Sequence, residues 1–254
     1  MRRCAALLTL LFALAAAARA AEPLLVPDVS QREIEIRYSF TGAKLLLFGA
    51  IVYPGGRVPE EPPDVAVVVK GPPQPIIVRE KRKVGGIWMN VDAARFRTAP
   101  AFYAIASSAP LERLVDERMA AIYELGLDNL QLSPGSGAPT EEQRRFEAGL
   151  VDLRMRAGLY VEDPGGVEMS ENVLYRARVS IPARVPVGEY TAETFLIQDG
   201  EVLAAASREI RIEKLGLERF IADAARRWSL LYGLAAVAVS LLLGWAASAW
   251  FRRR

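Results

Sequence analysis

The sequence predicts a mainly β exported body, interrupted near its middle by a helical hairpin and followed by one apolar C-terminal helix. Three observations lead there. Short runs of Val, Ile and Leu punctuated by Pro and Gly fill residues 22–108 and return after Gly158, a spacing that suits a β-sandwich. Between them, apolar residues recur at helical spacing. From Ser229 to Phe251 there is no charged residue, and the run stops at Arg252, Arg253 and Arg254.

Arg2 and Arg3 precede an apolar stretch from Ala5 to Ala18, and Ala18-Arg19-Ala20 has the small-x-small form of a cleavage site. Residues 1–20 are therefore predicted to be a secretory signal peptide. Residues 21–108 read as a sandwich region. Ile34, Ile36, Tyr38 and Phe40 alternate with Glu33, Glu35, Arg37 and Ser39, the period of a half-buried strand. Strands are also predicted over Lys44–Tyr53, Asp64–Lys70, Pro75–Arg82, Gly86–Val91 and Ala101–Ser107. Pro54-Gly55-Gly56 and the prolines from Pro59 to Pro63 separate them. The dense cluster Arg79 to Lys83 reads as a charged edge that discourages edge pairing.

Residues 109–157 read as the helical hairpin. Leu111, Leu114, Val115, Met119 and Ile122 follow helical spacing after Pro110, with Gly126 as a stop, and Ser133–Pro139 forms the tip. Thr140 with Gln143 three residues on has the form of a capping box, and Phe146, Leu150, Leu153 and Ala157 make the second apolar face. In 158–213 the β pattern returns to complete a sandwich. Tyr175, Ala177, Val179 and Ile181 alternate with Arg176, Arg178 and Ser180, and Asp199-Gly200 predicts a type I′ hairpin. Gly188 and Tyr190, in Pro186-Val187-Gly188-Glu189-Tyr190, predict the tyrosine corner of an immunoglobulin-like sandwich, with Ala192 where such domains carry a cysteine.

Residues 214–228 are predicted to be a juxtamembrane helix, 229–251 a transmembrane helix and 252–254 a cytoplasmic tail. An uncharged run longer than about 18 residues can cross a bilayer as one helix. Trp228, Tyr232, Trp250 and Phe251 lie where interfacial aromatic belts are expected. Together these predict a single-pass inner-membrane protein with its bulk in the periplasm and its C-terminus in the cytoplasm. Ala236, Ser240, Gly244 and Ser248, at intervals of four, form a strip of small residues suited to close contact with another helix, from a membrane-protein partner or a second copy.

The composition prunes the chemistry. There is no histidine, and the one cysteine, Cys4, precedes the apolar stretch and leaves with the signal peptide. Ser-His-Asp and Cys-His catalysis, and zinc or copper sites built on imidazole or thiolate, are excluded from the mature chain. Of 32 Lys and Arg, three belong to the signal peptide and three to the tail, which leaves 26 against 30 acidic residues. That balance predicts neither a nucleic-acid partner nor an anionic membrane surface as ligand. Glu162, Asp163, Glu168, Glu171 and Asn172, around Pro164-Gly165-Gly166, match no calcium loop and read as a solvated turn. No cofactor, metal or catalytic residue is predicted.

Several stretches carry a family resemblance: Leu47-Phe48-Gly49-Ala50, Val67 to Pro72, Gly86-Ile87-Trp88-Met89-Asn90, Ser107 to Leu111, Leu174-Tyr175-Arg176-Ala177, Ile181 to Tyr190 and Leu231-Tyr232-Gly233. In these the chain resembles the alphaproteobacterial putative transmembrane protein family, over nearly all of the mature chain. The resemblance implies no catalytic residues. It implies a setting beside permeases that resemble sulfite or organosulfonate exporters. The expected function is a non-catalytic interaction or accessory module for an inner-membrane partner such as a transporter. The alternatives are an envelope hydrolase running on two carboxylates, which needs them roughly 5 to 10 Å apart across a cleft, and a cell-wall or solute binder with Trp88 as an aromatic platform, a role that competes with a place in the core.

Overall fold

A computed structural model describes residues 23–36, 41–134, 140–214 and 225–252. The expected signal peptide, residues 37–40 of the expected strand, the expected hairpin tip at 135–139, residues 215–224 of the expected juxtamembrane helix and residues 253–254 of the expected tail lie outside the described residues.

The body is mainly β, with three sheets. The first has the order β1 (Leu24–Val29), β3 (Gly42–Val52), β11 (Leu174–Pro182), β10 (Val167–Ser170), all antiparallel. The second has the order β2 (Glu33–Ile36), β13 (Glu201–Lys214), β12 (Gly188–Gln198), β4 (Asp64–Lys70), β7 (Tyr103–Ser107), β9 (Tyr160–Pro164). In it β2 lies parallel to β13 and β9 parallel to β7. Because β11 pairs with β3, and β12 with β4, the strands before Ser108 and after Gly158 form one body. The turn between β12 and β13 has positive φ at both Asp199 and Gly200, as a type I′ turn requires.

Alternation places one face of each sheet against the other. Leu45, Leu47, Tyr175, Ala177, Val179 and Ile181 of the first sheet share a single core with Tyr190, Ala192, Leu196, Ile210 and Ile212 of the second. In β4 the pattern differs: Val65 to Val69 are all 0% exposed. Both of its faces are covered, which is why it reads as a continuous apolar run. The face away from the first sheet is covered by the helical segment, where the Tyr123 ring meets Phe195, the residue opposite Ala66, at 5.5 Å.

The predicted helical hairpin is corrected here. Its first arm is two helices, α1 (Leu111–Leu114) and α2 (Glu117–Tyr123), broken where Val115 is extended and Asp116 caps α2 by accepting from the Met119 N–H at 2.7 Å. Leu114 and Ala120 enter the main core. The second arm, α3 (Thr140–Arg156), instead buries Phe146 and Leu150 in a separate cluster with Val78, Phe96 and Ala99. Those three belong to the third sheet, β5 (Pro73–Val84), β6 (Ile87–Pro100) and β8 (Ser133–Pro134). The second arm thus divides its apolar residues, Phe146 and Leu150 against the third sheet and Val151 and Ala157 against the main core, and Ile122 and Leu153 are left exposed.

Tyrosines fasten the segments to one another. The Tyr175 hydroxyl crosses the core to donate to Thr194 Oγ1 at 3.3 Å. Tyr190 donates to the Pro186 carbonyl at 2.7 Å, closing its corner. Tyr160 donates to the Pro100 carbonyl at 2.8 Å and Tyr53 to that of Asn172 at 2.8 Å. Tyr103 donates to the Glu124 carbonyl and accepts from the Gly126 N–H, both at 2.9 Å.

Two predictions follow from this packing. A Cβ on Gly49 would lie 2.5 Å from the Tyr175 hydroxyl and 2.6 Å from the Val26 carbonyl oxygen, so Gly49→Ala forces backbone apart. It should cost about 1–3 kcal/mol in urea denaturation, while Tyr175→Phe costs about 1 kcal/mol by removing one hydrogen bond. Parent-like stability of Gly49→Ala would count against the packing. Burial pushes Tyr160 up to about 12, and Tyr103 and Tyr190 well above the usual tyrosine range. With the folded-state values raised, their stabilising contribution is complete below the ordinary value of about 10 and is lost as pH rises through the folded values. Tyrosinate absorbance should therefore rise together with loss of circular dichroism above about pH 10; titration of all tyrosines with the dichroism intact would contradict this.

Candidate functional site

The second sheet has a distinct end. There β4 finishes at Lys70, β12 begins at Gly188 and β13 ends, since Thr191 faces Lys70 and Gly188 faces Ile212. A cavity of about 330 Å³ opens at this end, lined among others by Lys70, Pro72, Thr98, Glu124, Glu189 and Glu193. Strand alternation puts Lys70 and Glu193 on the outer face, and α2 ends over them with Glu124 in the left-handed conformation. The Lys70 ammonium lies 3.0 Å from Glu124 and 3.3 Å from Glu193. Both carboxylates are thereby committed to one cation, and that cation to them. The cluster ties α2 to β4 and β12.

A second cavity, of about 500 Å³, lies under α1 and α2 and is lined by Glu112, Asp116, Glu117, Asp128 and Glu162. Two of these acids serve the backbone. Asp116 caps α2, and Glu162 accepts from the Leu127 N–H, holding the 3₁₀ turn Leu127–Asn129. Among the described residues no three acidic, histidine or cysteine side chains are placed to hold a metal ion. Where a carboxyl is displaced, as in Asp28 and Glu168, it is held below the usual range: by the Val29 N–H and Arg32 for Asp28, and by Arg176 and Arg178 for Glu168. A general acid needs the opposite displacement.

The residues of the Pro164-Gly165-Gly166 region take separate roles. Glu162 reaches Leu127, Glu168 pairs with Arg176 and Arg178, and Asn172 donates to the Pro59 carbonyl. Gly188 has φ +151, and a Cβ there would lie 2.9 Å from Pro72 Cγ. Trp88 is 68% exposed, not in the core, because it sits near the tip of the β5–β6 hairpin beyond the reach of α3. The sequence singles out Trp88 of the hairpin but not the Lys70 cluster. Lys70 closing an unbroken valine run is the signal that points to that cluster.

Ala236, Ser240, Gly244 and Ser248 lie on α4 (Ser229–Arg252) at helical spacing. Ser240 Oγ donates to the Ala236 carbonyl at 2.8 Å, and nothing lies within 4 Å of a Cβ built on Gly244. The strip is open. Among the described residues no helix is long and apolar enough to cross a membrane. The unbroken run of described side chains in α4 is residues 229–245, and the helix backbone spans 24 residues.

A family model described as "Putative transmembrane protein (Alph_Pro_TM)" matches residues 24–253. The chain belongs to that family. The match takes in the sandwich, the hairpin that carries Trp88 and nearly all of α4. No curated protein matches the chain. Among solved structures, the crystal structure of Spo0M, a sporulation control protein from Bacillus subtilis, is similar at 10% identity with a TM-score of 0.30. The similarity covers 82% of this chain and 56% of that one, so the chain spans about half of that protein's length. A likeness at that score carries no argument.

If the Lys70 cluster is a structural tie, Lys70→Met should destabilise the body by about 1–3 kcal/mol, reduced from a fully buried pair by partial solvation. Adding Glu124→Gln and Glu193→Gln should recover most of that loss in urea denaturation. An unchanged midpoint for Lys70→Met alone would sink the assignment.

Proposed function

We propose that this family member is a non-catalytic interaction module, an immunoglobulin-like body tethered to the inner membrane by α4 and held in the periplasm beside a membrane-protein partner such as a transporter. One observation carries the reading. Every described side chain of α4 from Ser229 to Trp245 is exposed, with Leu230 at 82%, although the stretch holds no charged residue. A helix that is apolar all round belongs in a core or in hydrocarbon, and none of the described residues of this body covers Ser229 to Trp245. At 24 residues and 1.5 Å per residue, its backbone is about 36 Å long, against roughly 30 Å for a bilayer's apolar layer. The family description agrees with a membrane setting.

The immunoglobulin-like reading is supported by strand order. β1-β3-β11-β10 takes the places of strands A, B, E and D, and β13-β12-β4 those of G, F and C, with Tyr190 near the start of the strand in position F. Ala192 replaces the cysteine, so the body depends on packing and tyrosine bonds. A non-catalytic role is supported by the missing imidazole and thiol and by the structural duties of Glu124, Asp116, Glu162 and Glu193. The open strip of Ala236, Ser240, Gly244 and Ser248 supplies a face on which a partner helix can pack closely.

The chain should stay in the pellet after alkaline carbonate washing of native membranes, and protease added to spheroplasts should digest the body. Release by carbonate would overturn the tether. Crosslinking and mass spectrometry at native expression should recover one dominant membrane protein, and Ser240→Leu with Gly244→Leu should reduce that recovery several-fold by blocking close helix approach. Equal recovery from the variant would remove the strip from the reading.

A further inference from the structure

We propose that the β5–β6 hairpin is a second membrane contact, its tip seated in the anionic headgroup layer of the same bilayer that receives α4. This rests on the tethered reading above and extends it to a site on the body itself.

The hairpin continues the β4–β7 ladder past the end of the second sheet. The Gly71 N–H donates to the Phe102 carbonyl at 2.8 Å and the Ala101 N–H to that of Pro72 at 3.0 Å, so the two strands leave the body still paired. They leave at the end of the sheet where β13 finishes, since Lys70 faces Thr191 and Ile212 faces Gly188. Near its root the hairpin is covered by α3, through Phe146 and Leu150 on Val78 and Phe96 and through Arg145 on Glu80 and Asp92. Beyond Glu80 the cover stops. Every residue from Lys81 to Val91 is exposed.

The order of side chains along this free part matches the order of layers in a membrane surface. Val84 and Ile87 face each other at the apex, on either side of the Gly85-Gly86 turn. Next come the pairs Lys83 with Trp88 and Arg82 with Met89, then Lys81 with Asn90. Apolar groups lead, a tryptophan follows, and cations stand behind. Ile87 is 72% exposed and Trp88 68%. From Lys81 to Val84 is about 10 Å of strand, comparable to the depth of the headgroup and upper acyl region reached by interfacial segments. Residues 81–91 contain three basic residues and no acid, on a body whose acids outnumber its bases; Arg82 is paired with Glu80 at 2.9 Å, so Lys81 and Lys83 carry the charge offered to a ligand. That local charge suits anionic lipid, to which polybasic segments beside a membrane are drawn. It disfavours a second copy of the same hairpin, whose cations would meet cations. Paired inner edges but unpaired outer edges restrict the tip to the wet interface, because unbonded backbone groups are not tolerated deeper.

The test uses the full chain, with Cys4→Ser and a single environment-sensitive fluorophore at Ile87→Cys, reconstituted in nanodiscs. Met89→Cys provides a second labelled position. Glu201→Cys, beside the β12–β13 turn at the opposite end of the sheet, is the control. In discs with roughly one-third phosphatidylglycerol, emission at 87 and 89 should shift to the blue and be quenched by lipids spin-labelled near the headgroup, while position 201 should do neither. In pure phosphatidylcholine, or with Lys81→Glu and Lys83→Glu, quenching should fall at least about twofold. Water-like emission at both tip positions, in chains that co-elute with the discs, overturns the hairpin contact and leaves the tether standing. Shielding without lipid quenching indicates a protein contact and overturns it equally. Failure of the chain to stay with the discs removes the tether and the contact together.

Discussion

The structure depends on the dry interface between its two larger sheets, because a chain with a single cysteine, Cys4, has no internal disulfide with which to link them. Apolar side chains from alternate positions of β3, β11, β12 and β13 supply most of the attraction. Apolar contact alone resists sliding poorly, and Tyr175 reaching from β11 to Thr194 on β12 adds a directional bond across the middle. That bond needs Gly49 on β3, whose missing side chain leaves room for the tyrosine ring. The same device recurs at the rim, where Tyr53, Tyr103, Tyr160 and Tyr190 each bond a backbone carbonyl on a neighbouring segment. A buried tyrosine brings a large apolar area and one hydrogen bond that must be satisfied, so it both fills space and sets position.

Strand β4 links this core to everything built on the other side. Its valines are closed off by the first sheet on one face and by α1 and α2 on the other, and Lys70 at its end is held by carboxylates from α2 and β12. Immediately beyond it the chain leaves as the β5–β6 hairpin, and returns to the sheet as β7. The body therefore has a sealed centre and an end at which β13 finishes and the long, apolar-tipped β5–β6 hairpin departs from β4. A module that works at a surface gains from that division, since the exposed elements can be apolar without weakening the packing that supports them.

Much of the architecture was legible in the residues. The alternation from Tyr175 to Ile181, the Asp199-Gly200 turn and the uncharged run from Ser229 all correspond to elements of the structure. The Tyr190 hydroxyl donates to the Pro186 carbonyl four residues away. The helical region was legible only in part. The spacing from Leu111 to Ile122 is that of a helix, but Asp116 offers its carboxylate to the Met119 N–H and starts a new helix there. Periodicity showed apolar stripes on both arms and did not show that Phe146 faces the third sheet while Ala120 faces the second.

What the sequence determined by itself was local: strand and turn periods, the missing imidazole and thiol, and an apolar terminal helix. Each depends on residues within a few positions of one another, or on composition alone. Tertiary structure decided that strands from both halves of the chain pair in the same sheets, that Lys70 meets Glu124 and Glu193, and that Trp88 faces solvent. An apolar pattern states which face avoids water, whereas the element that covers that face is chosen by contacts between residues far apart in the chain. At the hairpin tip no element of the body supplies that cover, and the same alternation that builds a core elsewhere leaves an apolar surface.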